Sequence, residues 1–101
     1  MADTERRRAW RSGLVLDVWY EGDGVRGETR ISDLSVTGAY VETRTPLPAG
    51  TTFRLIFTLP DGQVIETEGT VVHSRRGNGM GIRFTSLSPE QSNSIRQFIR
   101  A

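Results

Sequence analysis

Apolar residues recur at every second position through most of this chain. That alternation is the signature of strands with one buried face. The clearest run is residues 52–59, where Phe53, Leu55, Phe57 and Leu59 form one apolar row and Arg54 and Thr58 face away from it. Residues 13–20 repeat the pattern: Leu14, Leu16, Val18 and Tyr20 alternate with Val15, Asp17 and Trp19, which makes the even positions the core candidates. Residues 25–34 read as a second strand, polar on one side. Residues 38–43 read as a third, with Ala39 and Val41 set against Tyr40 and Glu42. Residues 64–74 and 80–84 complete the set, with Gly69 expected to mark a bulge and Ile82 and Phe84 facing one way.

The breaks between these runs carry turn chemistry. Glu21-Gly22-Asp23-Gly24, the Pro46, Pro48 and Gly50 loop, and Arg75-Arg76-Gly77-Asn78-Gly79 all interrupt the alternation. In Pro60-Asp61-Gly62, proline pre-sets φ and glycine is free for the left-handed position, so 52–59 and 64–74 should pair as a hairpin. Only the C-terminus changes period. Ser88 is a cap, Pro89 a first-turn residue and Gln91 the third residue after the cap; Ile95, Phe98 and Ile99 then form a stripe at helical spacing. Six short strands and one terminal helix predict a mostly β fold: a six-stranded antiparallel β-barrel with a C-terminal α-helix across an open end or side. The expected organisation is one domain over residues 1–101, made of an N-terminal arm (1–12), the barrel (13–86) and the helix (88–100).

A chain of 101 residues can bury one core without staples. It has no Cys, which excludes a disulfide framework and thiolate chemistry and suits a reducing compartment. No apolar run is long enough to span a membrane, and the start lacks the apolar stretch of a signal peptide, so the expected location is the cytoplasm. The net charge of +1 gives no global field for long polyanions. The basic charge is nevertheless uneven. All 13 basic residues are Arg, and Arg6, Arg7, Arg8 and Arg11 crowd the N-terminus, where mutual repulsion should keep a free arm mobile. Arginine offers a planar donor fork that suits phosphate oxygens and the guanine edge.

Arg7 and Arg11 are four apart, so they fall on one side of either an extended segment or a helical turn and can grip one compact anion together. The second cluster is Asp33-Leu34-Ser35-Val36-Thr37-Gly38. On a continuing strand, Asp33 and Ser35 share a side while Leu34 and Val36 point to the core. Gly38 allows positive φ or a close backbone approach. A carboxylate can accept from guanine N1 and N2, a hydroxyl adds a small donor or acceptor, and a glycine leaves room for a flat ring. The competing structural reading is a strand end and turn, with Asp33 and Ser35 bonding local backbone.

Other chemistries find less support. The single histidine, His73, lies inside an expected strand, where a lone His is more often structural than catalytic; no nucleophile or metal-ligand pattern accompanies it. The chain is therefore not expected to be an enzyme, and no metal or cofactor is implied. A small nucleic-acid-binding barrel would need a charged groove and exposed aromatics; Trp10 and Trp19 are the candidates, but the near-zero net charge argues against a long phosphate track.

Taken together, Arg7-x-x-x-Arg11 and Asp33-x-Ser35-x-x-Gly38, with the strand pattern, the Gly81-Ile82-Arg83-Phe84 strand and the closing helix, resemble the PilZ domain family of bacterial cyclic di-GMP receptors. The resemblance covers nearly the whole chain. It implies a six-stranded barrel with cyclic di-GMP as ligand: Arg7 and Arg11 on phosphates and guanine edges, Asp33 and Ser35 on a guanine, and Gly38 permitting close packing. Arg6, just before the first motif arginine, is implied to favour an intercalated ligand dimer. No output domain is evident, so the expectation is a receptor that acts through an unidentified partner protein. The alternative within the same fold is a ligand-independent interaction module.

Overall fold

The computed structural model describes residues 11–100, with side chains described from Leu16 onward. Six strands follow in chain order: β1 (Arg11–Gly22), β2 (Val25–Leu34), β3 (Gly38–Glu42), β4 (Thr52–Thr58), β5 (Val64–Arg75) and β6 (Gly79–Phe84). One helix, α1 (Pro89–Arg100), ends the chain. The strands close into a barrel in the order β1-β2-β3-β6-β5-β4, every neighbouring pair antiparallel, with β4 returning to β1. Closure leaves no unpaired sheet edge.

The alternation in the sequence becomes the inside and outside of this barrel. Leu16, Val18 and Tyr20 of β1, Phe53, Leu55 and Phe57 of β4, Ile65 and Val71 of β5, and Met80 and Ile82 of β6 are all buried in one cluster. Asp17 and Arg54, on the other phase, are exposed. Aromatic rings lock the interior: Tyr20 meets Phe53 edge-on at 5.8 Å, and Phe57 stacks on Phe84 at 6.1 Å. The helix is capped as its sequence predicts. The Gln91 amide donates to Ser88 Oγ at 3.1 Å, and the Ser88 amide donates to Gln91 Oε1 at 2.9 Å, a reciprocal capping box. Ile95 is buried, Phe98 and Ile99 pack partly against the core, and the Gln91 side chain donates to the Glu66 carbonyl, so α1 is docked beside β5.

Two local expectations are corrected. The barrel begins at Arg11 rather than at residue 13, because Arg11 pairs with Leu34 and Ser12 with Asp33. Gly69 is not a bulge: it pairs in register with Phe53 and Phe84. A Cβ there would come within 2.5 Å of Ile82 Cγ2, so the glycine answers to interior packing. The irregularity in β5 lies between Val71 and His73. Two more register shifts fall between Ser12 and Leu16 in β1 and between Ile31 and Asp33 in β2.

If this interior is one close-packed unit, Leu55→Ala, at a fully buried site, should lower unfolding free energy by about 2–5 kcal/mol. Val64→Ala, at a site 58% exposed, should change it by less than about 0.5 kcal/mol. Urea denaturation of both variants measures the contrast.

Candidate functional site

The site predicted from the sequence is built around the connection from β2 to β3. β2 stops at Leu34, which pairs with Ala39, and residues 35–38 turn the chain. The Ser35 amide donates to the Gly38 carbonyl at 2.9 Å, closing the turn. Inside it sits the Ser35 hydroxyl, with the residue only 1% exposed. Its Oγ accepts from the Thr37 and Gly38 amides, both at 3.2 Å, and lies 3.0 Å from the Thr37 hydroxyl. Serine is thus spent on satisfying the turn's own donors, of which the Gly38 amide is buried.

Gly38 is required for contact rather than for φ. It pairs with Arg83 of β6, and an added Cβ would fall onto the Ile82 carbonyl oxygen and within 3.3 Å of the Arg83 Cα. Both obstacles are backbone and cannot swing away. The turn is also tied to β6 by the Phe84 amide, which donates to the Thr37 carbonyl at 2.9 Å. Leu34 is buried and Val36 packs partly against the core, as expected. Asp33 and Ser35 do not share a face: the strand ends between them, so Ser35 turns inward while Asp33 stays half-exposed. Among the described residues, the Asp33 carboxylate has neither a hydrogen bond nor an ion-pair partner.

The arm meets this corner through the backbone. Ser12 pairs with Asp33 and Arg11 with Leu34, so β1 delivers the chain that carries the arginine motif directly alongside β2. Arg11 is described as backbone only; Arg6 and Arg7 lie outside the described residues. Arg75 ends β5 and Arg76 opens the following turn, both exposed.

On the outer surface of β1, β2 and β4 each described arginine side chain is paired. Glu21 bridges Arg26 and Arg54 at 3.6 Å each, Arg54 also reaches Glu66 at 3.6 Å, and Arg30 pairs with Glu42 at 3.8 Å. These are exposed pairs of small energetic weight, but they leave no free cationic track on that face. A groove of about 540 Å³ runs over β1 and β2, lined by Asp17, Trp19, Glu28 and Arg30 among others. Two carboxylates beside Trp19 repel a phosphate backbone, so this aromatic does not make a nucleic-acid groove. No cluster of metal-ligating side chains occurs among the described residues. No helix among them is long and apolar enough to cross a membrane.

Comparison with known proteins agrees with the barrel. The profile of the PilZ domain matches residues 5–101. No curated protein matches the sequence. Among solved structures, that of Bacillus subtilis Inhibitor of motility (MotI/DgrA) superposes with a TM-score of 0.83 at 20% identity, covering 91% of this chain and 48% of that one. The PilZ domain of CeSA from a cellulose-synthesizing bacterium gives a TM-score of 0.64 at 19% identity, covering 86% and 91%. The Borreliella burgdorferi PlzA protein in complex with c-di-GMP gives 0.59 at 18% identity, covering 97% and 44%. The chain therefore spans about half the length of MotI/DgrA and less than half of PlzA.

The inward serine makes a direct prediction. Ser35→Ala strands two amide donors in a buried turn and should cost about 1–3 kcal/mol, read by chemical denaturation. Thr37→Ala, on the exposed side of the same turn, should cost clearly less.

Proposed function

The chain belongs to the PilZ domain family, and we propose that it is a cyclic di-GMP receptor that passes its signal to a partner protein. The observation that carries this reading is the pairing of Ser12 with Asp33 and Arg11 with Leu34. The backbone of Arg11, more than 20 residues from Asp33 in sequence, thus runs beside the strand end that carries the second motif, which supports a shared site. A second support is that one structural relative is a complex with c-di-GMP.

In this reading the carboxylate of Asp33 accepts from the N1 and N2 hydrogens of a guanine. It is suited to that task because it is half-exposed and has no side-chain partner among the described residues. Arg7 and Arg11 hold phosphate oxygens or the guanine O6 and N7 edge through paired N–H donors. Arg6 extends the same grip and would favour two stacked ligand molecules over one. Gly38 lets the turn lie flush on β6, and Ser35 holds that turn, so both set the position of Asp33. Arm and barrel then act as one ligand-closing unit. No bond is made or broken: the protein is a receptor and not an enzyme. It acts in the cytoplasm, where a Cys-free chain is at no disadvantage. The surface completed by ligand is what a downstream protein reads.

A rival reading keeps the fold and drops the ligand. The inward Ser35 hydroxyl favours it, since the turn is satisfied without any bound molecule. A thermal-shift titration separates the two. Saturation to about 100 times Kd stabilises the folded state by about 2.7 kcal/mol, which in a domain of this size raises Tm by roughly 10 °C or more. An unmoved Tm at millimolar cyclic di-GMP leaves only the interaction module. Calorimetry tests the assignment of roles: Arg7→Ala, Arg11→Ala and Asp33→Ala should each weaken binding at least about tenfold, one decade being about 1.4 kcal/mol. Unchanged affinity in both arginine variants removes the arm from the site. Affinity for oligonucleotides that falls steeply with salt would instead indicate a nucleic-acid barrel.

A further inference from the structure

The outer face of β1 and β4 carries two apolar side chains that the core does not use. Trp19 of β1 pairs in register with Ile56 of β4, and both are half-buried although neither is part of the buried cluster. Both point outward, since their neighbours Val18, Tyr20, Leu55 and Phe57 are all buried. Adjacent strands are about 4.8 Å apart, so the two side chains form one apolar strip. On the other side of Trp19 lies the groove of about 540 Å³ over β1 and β2. Its size falls within the range of binding clefts, roughly 300–1,000 Å³. The neighbouring strands β2, β1 and β4 thus share this face.

Charge around this strip is in surplus of one sign. Glu28 pairs in register with Trp19. Asp17 stands two residues before Trp19 on the same side of β1, about 7 Å away. Both carboxylates line the groove and both residues are exposed. Among the described residues neither has an ion-pair partner. Arg30 pairs in register with Asp17 and with Glu42, but its guanidinium goes to Glu42 at 3.8 Å. Arg26 and Arg54 are held by Glu21. The described arginines of this face are therefore engaged, and the indole is flanked by two carboxylates that they do not answer.

We propose that this face docks an arginine-bearing segment of a partner protein, with one guanidinium laid on the Trp19 indole between Asp17 and Glu28. The chemistry follows from the groups present. A guanidinium is planar, stacks on an indole face, and keeps its edge N–H donors free for carboxylates at its sides. Ile56 extends the apolar surface for the stem of that arginine or its neighbour. Tryptophan and arginine are also the residue types that dominate binding at interfaces, where an apolar centre with a charged rim is the usual layout. Other occupants fit worse. A nucleic acid would set phosphates against Asp17 and Glu28. A second copy docked two-fold through the same face would set those carboxylates against their own equivalents. The inference goes beyond recognition of cyclic di-GMP. A protein partner is common to the receptor and the interaction-module readings, so the face is tested with no nucleotide present.

The test is an NMR titration of the isotope-labelled full chain with a capped peptide of alternating glycine and arginine. The control peptide carries citrulline, the uncharged isostere, in place of arginine. Expected is a saturable shift of the Trp19 indole N–H and of the amides of Asp17, Glu28 and Ile56 with the arginine peptide and not with the control. Trp19→Ala should weaken binding by about twofold to thirtyfold, and Trp19→Phe, which keeps a ring, by less. Asp17→Asn combined with Glu28→Gln should weaken it by about twofold to tenfold. Both charge changes lie at exposed sites and leave the fold intact; melting checks the Trp19 variants. No shift at millimolar arginine peptide overturns the docking face, and so does an equal response to the citrulline peptide. Shifts of the same signals on adding an oligonucleotide, or on concentrating the chain alone, would assign the face to a nucleic acid or to a second copy and overturn the proposal likewise.

Discussion

The β2–β3 turn leaves its residues almost no freedom, and the candidate site inherits its shape from that constraint. From beneath, the Ser35 hydroxyl takes both amides that the turn would otherwise leave unsatisfied. From the side, the Ile82 carbonyl occupies the space in which any residue larger than glycine at position 38 would place its Cβ. The turn is thus fixed to β6 as firmly as to its own strands, and the Phe84–Thr37 backbone bond adds a second tie. Asp33 lies two residues before this anchor and cannot move independently of it. In the proposed receptor role a carboxylate meeting two in-plane donors would need such a foundation, because hydrogen bonds weaken steeply with misalignment. Two residues of the motif therefore serve mainly to hold the third.

The register shifts contribute the rest of the geometry. In a regular ladder, side-chain direction alternates with period two along every strand, so a strand with one buried face fixes its outward residues rigidly. An extra residue resets that phase. The shift between Ser12 and Leu16 sets three residues of β1 against one of β2, near the N-terminal end of β1. The other two shifts fall just before Asp33 in β2 and just before His73 in β5. A closed barrel usually tolerates such irregularities at its rims.

What was legible in the sequence was what depends on near neighbours. Alternation identified the buried rows of β1 and β4, and the Ser88–Gln91 spacing identified the helix cap, because each is decided within a few residues. Ser35 was placed on the wrong side for a physical reason. Periodicity assumes that the strand continues, and β2 ends at Leu34 because the turn residues satisfy each other better than a ladder would. Gly69 likewise carries no local sign of its purpose, which is set by Ile82 on the neighbouring strand. The pairing of Tyr40 with Gly81 and of Gly81 with His73, across β3, β6 and β5, was beyond reach altogether. It exists only once two ladders, one of them shifted, are in register. In the sequence, His73 is an isolated strand histidine with no partner in view.

The role proposed for Asp33 bears on selectivity. Guanine presents two adjacent donors, N1–H and N2–H, and both can meet the oxygens of Asp33. Adenine presents one donor, at N6, next to the N1 lone pair, which would face a carboxylate oxygen directly. A site built to hydrogen-bond a particular group discriminates far more strongly than one that only packs against it, because the mismatched ligand leaves polar groups desolvated and unpaired. In the proposed receptor, selectivity for guanine would then reside at the end of β2 that the turn holds in place, and changes at Asp33 should narrow the gap in affinity between guanine and adenine cyclic dinucleotides.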